Sequence, residues 1–262
     1  MFFSCFLLLL ALNVLSAGRV PQPENRIIGG SSIEIEQVPW QVSLQFQGQH
    51  ICGGSIYSKD IIITAAHCRF TKEGRRLEAK DFKIRVGSAL KNSGGRLVQV
   101  AAIKSFEMYV LNTTENDIAV MRLSEPLEFT NKVQTISLAD KNPDPGTPAF
   151  VSGWGATSAQ YKFLNGLRDV VYTYPINLQG VRIQINKPIN IFGGLLASLR
   201  QDLITAGAFG QSTCSGDSGG PLVVNQQLVG VVSSGLELCD AEAAFISVPY
   251  FQKWILHAIK YI

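Results

Sequence analysis

A chain of 262 residues, 46% of them hydrophobic and only 16% charged, can bury a full core as one large domain or two small ones, which excludes disorder as the default. Its formal net charge of +3 is too weak a basic balance to point to nucleic acid or an anionic membrane, and neither is expected as a partner.

The chain opens on an apolar run, Phe6–Leu12, and reaches small residues at Ser16, Ala17 and Gly18. That is the pattern of a secretory signal peptide over residues 1–17, cleaved after Ala17 or Gly18. No Lys or Arg precedes the run and a membrane anchor is the alternative, but the run is well short of the roughly 20 residues that span a bilayer. Cleavage removes Cys5 and leaves Cys52, Cys68, Cys214 and Cys239 in a chain bound for an oxidising compartment. Four cysteines allow three pairings, and proximity along the chain favours Cys52 with Cys68 and Cys214 with Cys239. Buried free thiols are the alternative; secretion disfavours them, and closing a loop of about 15 residues stabilises by on the order of 3 kcal/mol.

Beyond Arg26, short apolar or alternating runs are broken by Gly, Pro, Asn and Asp. Gln41–Phe46, Ile61–Ala65, Phe82–Val86, Leu97–Ile103, Ile118–Leu123 and Leu228–Ser233 have strand length, and β-branched residues dominate several. Asn112-Thr113-Thr114 is an acceptor sequence for N-glycosylation at Asn112, in a loop expected to rim the cleft near Asp117. Gln179–Leu203, with Gly193-Gly194 followed by Leu195–Leu199, is compatible with a surface loop or a short helix. Helical spacing comes only at the end, where Phe251, Trp254, Ile255, Ala258, Ile259 and Ile262 recur three or four apart. The pattern predicts an all-β barrel or sandwich closed by one terminal amphipathic helix.

Three short motifs carry chemistry. Gly216-Asp217-Ser218-Gly219-Gly220 sets one hydroxyl among glycines, where the backbone turns tightly and amide hydrogens can face a developing oxyanion; by itself it could be an ordinary Gly-rich turn. A serine nucleophile needs a base within hydrogen-bond reach and a third group that fixes the base's tautomer. Of the three histidines, His67 follows an apolar strand in Thr64-Ala65-Ala66-His67-Cys68, a setting that His50 and His257 lack. Asp117 opens the apolar run Ile118–Leu123, where an unpartnered carboxylate is expensive to bury and an imidazole N–H would serve as partner. A turn-capping Asp is the bland alternative. The chain order His67, Asp117, Ser218 separates this arrangement from the subtilisin-like and α/β-hydrolase orders.

On these motifs, together with Ile27-Ile28-Gly29-Gly30, Gly153-Trp154-Gly155 and Pro221, the chain resembles the chymotrypsin-like (trypsin-fold) serine protease family from Ile27 to the C-terminus. The resemblance implies an all-β fold of two six-stranded antiparallel Greek-key barrels with a C-terminal helix. The site would lie between the barrels, His67 and Asp117 from the first and Ser218 from the second. His67 would act as general base and then acid, Asp117 would orient it, and Ser218 would form the acyl-enzyme, which is the established template for the family. The amides of Gly216 and Ser218 would form the oxyanion hole. Ser233 would support Asp117 and, with Gly235, pair with an extended substrate. Cleavage between Arg26 and Ile27 would release residues 18–26 as a propeptide, leave 27–262 as the catalytic domain, and free an amino group to pair with Asp217. The implied partners are protein or peptide substrates and an activating trypsin-like protease, for a secreted, digestive monomer without cofactor. A homologue that has lost catalysis and only binds or regulates is the alternative, against which stand three filled catalytic positions.

The chain also departs from the family pattern. Ser234 stands where Trp is usual, which removes one apolar wall of the cleft. A further disulfide has lost both cysteines, Thr205 standing at one end and the other falling near Arg182. After Gly87 the usual calcium-ligand position is Ser88, and Asn92–Gly95 is short and unacidic, so no metal is expected. The pocket floor is Ser212, where trypsin-like members place Asp; a neutral hydroxyl cannot offset desolvation of a guanidinium or ammonium, so apolar residues are expected before the scissile bond. Ala243 adds a methyl group where glycine is usual, opposite Gly235, which favours Leu, Met or Phe over Trp. Asp240 and Glu242 lie nearby and are expected to face solvent.

Overall fold

The computed structural model describes residues 28–164, 167–187 and 200–262. The signal and propeptide segments, Ile27, and Gly193-Gly194 with Leu195–Leu199 lie outside the described residues.

After the short β1 (Ser31–Ser32) come β2 (Gln41–Phe46), β3 (Gln49–Ile56), β4 (Ile61–Thr64), β5 (Phe82–Val86), β6 (Arg96–Ser105) and β7 (Ala119–Leu123). These six longer strands close into an antiparallel barrel in the order β2-β3-β4-β7-β6-β5. Then follow β8 (Ser137–Leu138), β9 (Pro148–Gly153), β10 (Ser158–Leu164), β11 (Leu167–Thr173), β12 (Gln179–Gln184), β13 (Leu203–Ala206), β14 (Pro221–Val224), β15 (Gln227–Ser234), β16 (Ala243–Ser247) and the helix α1 (Val248–Tyr261). The second body is a run β12-β9-β14-β15-β16-β13, with β1 added at the β12 edge and β8 beside β15. Its outer strands meet at the bridge Ile185–Ala206, where the Asn186 amide donates to Thr205 O at 2.8 Å and the Gly207 amide to Gln184 O at 3.0 Å. Six strands thus curl into a second barrel that local contacts, in place of a full ladder, close.

All six expected runs are strands; Phe82–Val86 alternates with the pleat, whereas β2, β4, β7 and β15 are short runs buried on both faces. Among the strands not expected, β13, β14 and β16 are short, mainly apolar stretches. Along β14 and β16, Leu222, Val224 and Phe245 face the second-barrel core, while Val223 and Ile246 join the cluster shared with the first barrel and α1. With both faces buried, alternation disappears. Gln179–Gln184, open between loop and helix on sequence grounds, is a strand paired with β9. Strands β10 and β11 pair with each other in a separate two-stranded sheet that no sequence signal announced.

Helix α1 starts at the Ser247 hydroxyl, which accepts from the Tyr250 amide at 3.1 Å, and it buries Phe251, Ile255 and Ala258. At its other end the Arg122 guanidinium, paired with Asp60, donates to Ile259 O at 3.0 Å and Ile262 O at 3.1 Å, satisfying carbonyls that the last turn leaves open. Both expected disulfides are present, Cys52–Cys68 and Cys214–Cys239. The location given to the lost third bridge needs correction: Thr205 pairs with Ala244 and neighbours Asn186, whereas Arg182 lies opposite Phe150.

Candidate active site

Strand register brings the first two residues together. In the β4–β7 pair Thr64 faces Ala119, so His67, three residues past Thr64, and Asp117, two before Ala119, emerge at the same end of the ladder. His67 Nδ1 lies 2.6 Å from Asp117 Oδ2, and the His67 amide donates to Asp117 Oδ1 at 2.8 Å. The Ser233 hydroxyl, from the second barrel, donates to the same Oδ2 at 2.6 Å. Asp117 is almost fully buried, yet three donors meet it, which offsets the desolvation a lone carboxylate would suffer. A carboxylate only accepts, so Nδ1 carries the ring proton and Nε2 is left as the basic nitrogen. Beside this pair the Tyr109 phenol is pushed up to about 12 by burial and by the Asp117 charge.

Ser218 arrives on the turn before β14. The Gly53 amide donates to Ser218 O at 2.7 Å, the Gly219 amide donates to Val232 O at 2.7 Å, and the Val232 amide donates to Gly220 O at 2.9 Å, which pins the turn to β15. A Cβ on Gly219 would strike the Thr64 hydroxyl, and its φ of +77° is open to glycine, so this position sets how closely the barrels approach. Ser218 and His67 line one cleft.

The oxyanion donors follow from peptide planarity. Ser215 O accepts from the Ala156 amide at 2.8 Å, so the Gly216 N–H, trans across the same peptide, points the other way. Among the described residues neither the Gly216 nor the Ser218 amide donates to a protein acceptor, and both residues border the cleft that holds His67. Two free donors beside a partly exposed hydroxyl and an oriented imidazole can stabilise a tetrahedral oxyanion.

The sequence profile of the trypsin family matches residues 27–255. The chain belongs to the trypsin family of serine proteases. It is 40% identical to trypsin alpha of Drosophila erecta over 244 residues, 91% of this chain and 90% of that one. It is 39% identical to hypodermin-A of Hypoderma lineatum, covering 86% of this chain and 83% of that one. The fold matches neuropsin, a serine protease expressed in the limbic system of mouse brain, with a TM-score of 0.74 at 24% identity, over 88% of this chain and 98% of that one. The protein is a serine endopeptidase.

In this trypsin-family chain Asp217 is fully buried and accepts from the amides of Gly155 at 2.8 Å and Cys214 at 3.0 Å; burial nevertheless raises its carboxyl to about 6. Gly153 and Gly155 are both needed, because a Cβ on either would collide with that carboxylate. The segment Ile28-Gly29 sits close by, with Ile28 O accepting from the Ser212 amide at 3.3 Å.

A cavity of about 190 Å³ opens from Ser218 between Thr213–Ser215 and Val232–Glu237. Of the residues expected to shape this pocket, Ser233 and Gly235 line it while Ser212 and Ala243 do not; Ser212 lies next to the lining Thr213, buried, and its hydroxyl has no partner. Ala243 is buried behind Gly235, and Ser234 is exposed. Asp240 and Glu242 do not line this cavity. Glu242 is not turned freely to solvent as expected: it is half-buried and accepts from Asn186 at 2.7 Å. The carboxylate at the cavity mouth is Glu237, which sequence reading passed over; the Tyr172 hydroxyl holds its carbonyl at 3.0 Å, so the β10–β11 hairpin docks on this wall.

His50 was the other omission. Nε2 faces Gly216 O at 3.0 Å and must donate to it, so Nδ1 accepts from the Ser43 hydroxyl at 2.8 Å. Burial, helped by the nearby Lys91 charge and opposed by the bond to Gly216 O, lowers this imidazole to about 4. It is a structural brace under the oxyanion turn. Asn112 is exposed on a turn with φ of +64°, between β6 and β7. Ser88 closes its own loop by donating to Ser93 O at 2.7 Å.

Proposed function

We propose that this trypsin-family enzyme is made as a secreted precursor with a signal over residues 1–17, is activated by a trypsin-like protease that cuts between Arg26 and Ile27, and prefers apolar residues before the scissile bond. In the reaction His67 takes the Ser218 proton as the hydroxyl attacks the carbonyl, while Asp117 holds the ring and meets the positive charge that develops. The oxyanion is received by the Gly216 and Ser218 amides. His67 then protonates the leaving amine, and water repeats the sequence to release the acid. The substrate chain would pair with Ser233 and Gly235 as an added strand. Digestion of bulk protein by a monomer fits a propeptide of only nine residues, 18–26. No helix among the described residues is long and apolar enough to cross a membrane. Asn112, exposed on its turn, would carry a glycan.

The observation that carries the specificity is the buried, neutral, unpartnered Ser212 hydroxyl. A charged side chain entering beside it would lose hydration and gain no counter-charge. A second reading, cleavage after Arg or Lys as the relatives' name would have it, draws support from Glu237 at the cavity mouth. The test is kcat/KM of the activated enzyme on matched substrates with Phe, Leu, Ala or Arg before the scissile bond. Phe and Leu are expected to exceed Arg by on the order of a hundredfold. A clear preference for Arg that Glu237→Gln removes would establish the second reading.

A further inference from the structure

Ser218 borders two cavities: the one of about 190 Å³ described above, and a larger one of about 800 Å³. They share only Ser215 and Ser218, so a peptide with its scissile carbonyl at Ser218 has its two halves in different cavities. His67 lines only the larger one. Because the base must return its proton to the leaving amine, the larger cavity receives the residues that follow the scissile bond.

The charges on that wall are lopsided. Lys72, Arg75 and Lys91 border it, against one carboxylate, Glu73. The Thr71 hydroxyl and the Glu73 backbone amide, with smaller help from the Lys72 and Arg75 charges, hold this exposed carboxyl below its usual range. None of the three cations forms an ion pair among the described residues, whereas the adjacent Arg76 does, with Glu78. Lys91 is the most built of them. Its carbonyl accepts from Gln45 Nε2 at 2.7 Å, its amide donates to Ile176 O at 3.2 Å, and its ammonium stands 5.5 Å from the centre of the Tyr174 ring. The Tyr174 hydroxyl in turn lies 3.0 Å from Ser215 Oγ, at the junction of the two cavities. A half-buried, positioned ammonium without a counter-ion gains most from an arriving carboxylate.

We propose that the leaving-group cavity selects acidic side chains, with Lys91 as the main anchor and Lys72 and Arg75 as the outer rim, so that the enzyme prefers Asp or Glu in the residues after the scissile bond. This rests on the reading of His67 and Ser218 as base and nucleophile. It gives the enzyme a specificity on the side of the cleft that Ser212 does not govern.

The experiment uses quenched fluorescent peptides, identical up to the scissile bond, with Asp-Asp, Asn-Asn or Lys-Lys at the second and third positions beyond it. At low salt kcat/KM should rank Asp above Asn above Lys, with on the order of tenfold between the first two, and the spread should shrink as salt screens the charges. In Lys91→Glu the Asp-to-Lys ratio should invert or collapse, and labelling by a fluorophosphonate identifies folded variant. The wild-type ranking and its salt dependence test the proposal even without a variant. Equal rates for the three peptides would overturn it while leaving the endopeptidase standing. An enzyme that cleaves none of them and resists the fluorophosphonate would overturn the triad assignment and this inference together.

Discussion

His50 shows how one side chain outside the proposed triad braces the turn at Gly216. Burial keeps its ring neutral as it bridges Ser43 and Gly216, and its folded value of about 4 lies below the ordinary 6.5. The unfolded chain therefore binds this proton more readily, and the stability the group contributes is complete above pH 6.5 and lost as pH falls toward 4. The loss is on the order of 3 kcal/mol. Asp217 works in the opposite sense wherever it lacks a cation: its carboxyl, raised to about 6 from 3.8, gives stability at low pH that disappears as pH rises through 6. The useful measurement is thus a difference, denaturant unfolding of wild type and His50→Gln from pH 7 to pH 4.5. The variant should be less stable at pH 7 and lose less on acidification, and parallel pH profiles for the two proteins would refute the assignment. In the sequence His50 had no neighbouring motif. Its partner Gly216 lies 166 residues away, and no local pattern reports such a distance.

Among the elements, α1 was legible because its apolar spacing follows from helical geometry alone, and the structure assigns the face. Ile255 is fully buried and its neighbour Leu256 is exposed. Ile255→Ala should cost about 2–5 kcal/mol and Leu256→Ala within about 0.5 kcal/mol, read by denaturant unfolding. Similar losses at both positions would contradict the packing. The β10–β11 hairpin was not legible. Its residues, including Tyr161 and Phe163, are largely exposed, so no buried face imposes alternation. Nor was Glu237 legible as a pocket residue, since the hairpin that holds its backbone is itself set by tertiary docking.

At the scale of the whole molecule, the site exists only because the two barrels meet, through Gly53 and Gly219 at the nucleophile turn and Ser233 on Asp117. The same junction is where activation is expected to act. Asp217 is buried with two amide donors and no cation among the described residues, while Ile28-Gly29 lies beside Ser212. A free Ile27 amine would supply the missing charge. Arg26→Gln should therefore block activation by trypsin, and the intact precursor should show under about 1% of the active sites of processed wild type by titration, because the residual rate without an ordered oxyanion hole is orders of magnitude lower. An uncleaved Arg26→Gln protein with full activity would sink this account.

Six strand positions, the terminal helix, the favoured disulfide pairing and the order His67, Asp117, Ser218 could be read from the sequence itself, since period, cysteine spacing and turn chemistry are local properties of a chain. The proposed base could also be named from the sequence, because a nucleophile motif demands one and only His67 had a suitable setting. What the tertiary structure decided was which distant groups meet: Ser233 on Asp117, His50 under Gly216, Glu237 at one cavity and Lys91 at the other. Those meetings depend on how two barrels close and dock, and closure is a property of the whole set of strand pairings, not of any segment within it.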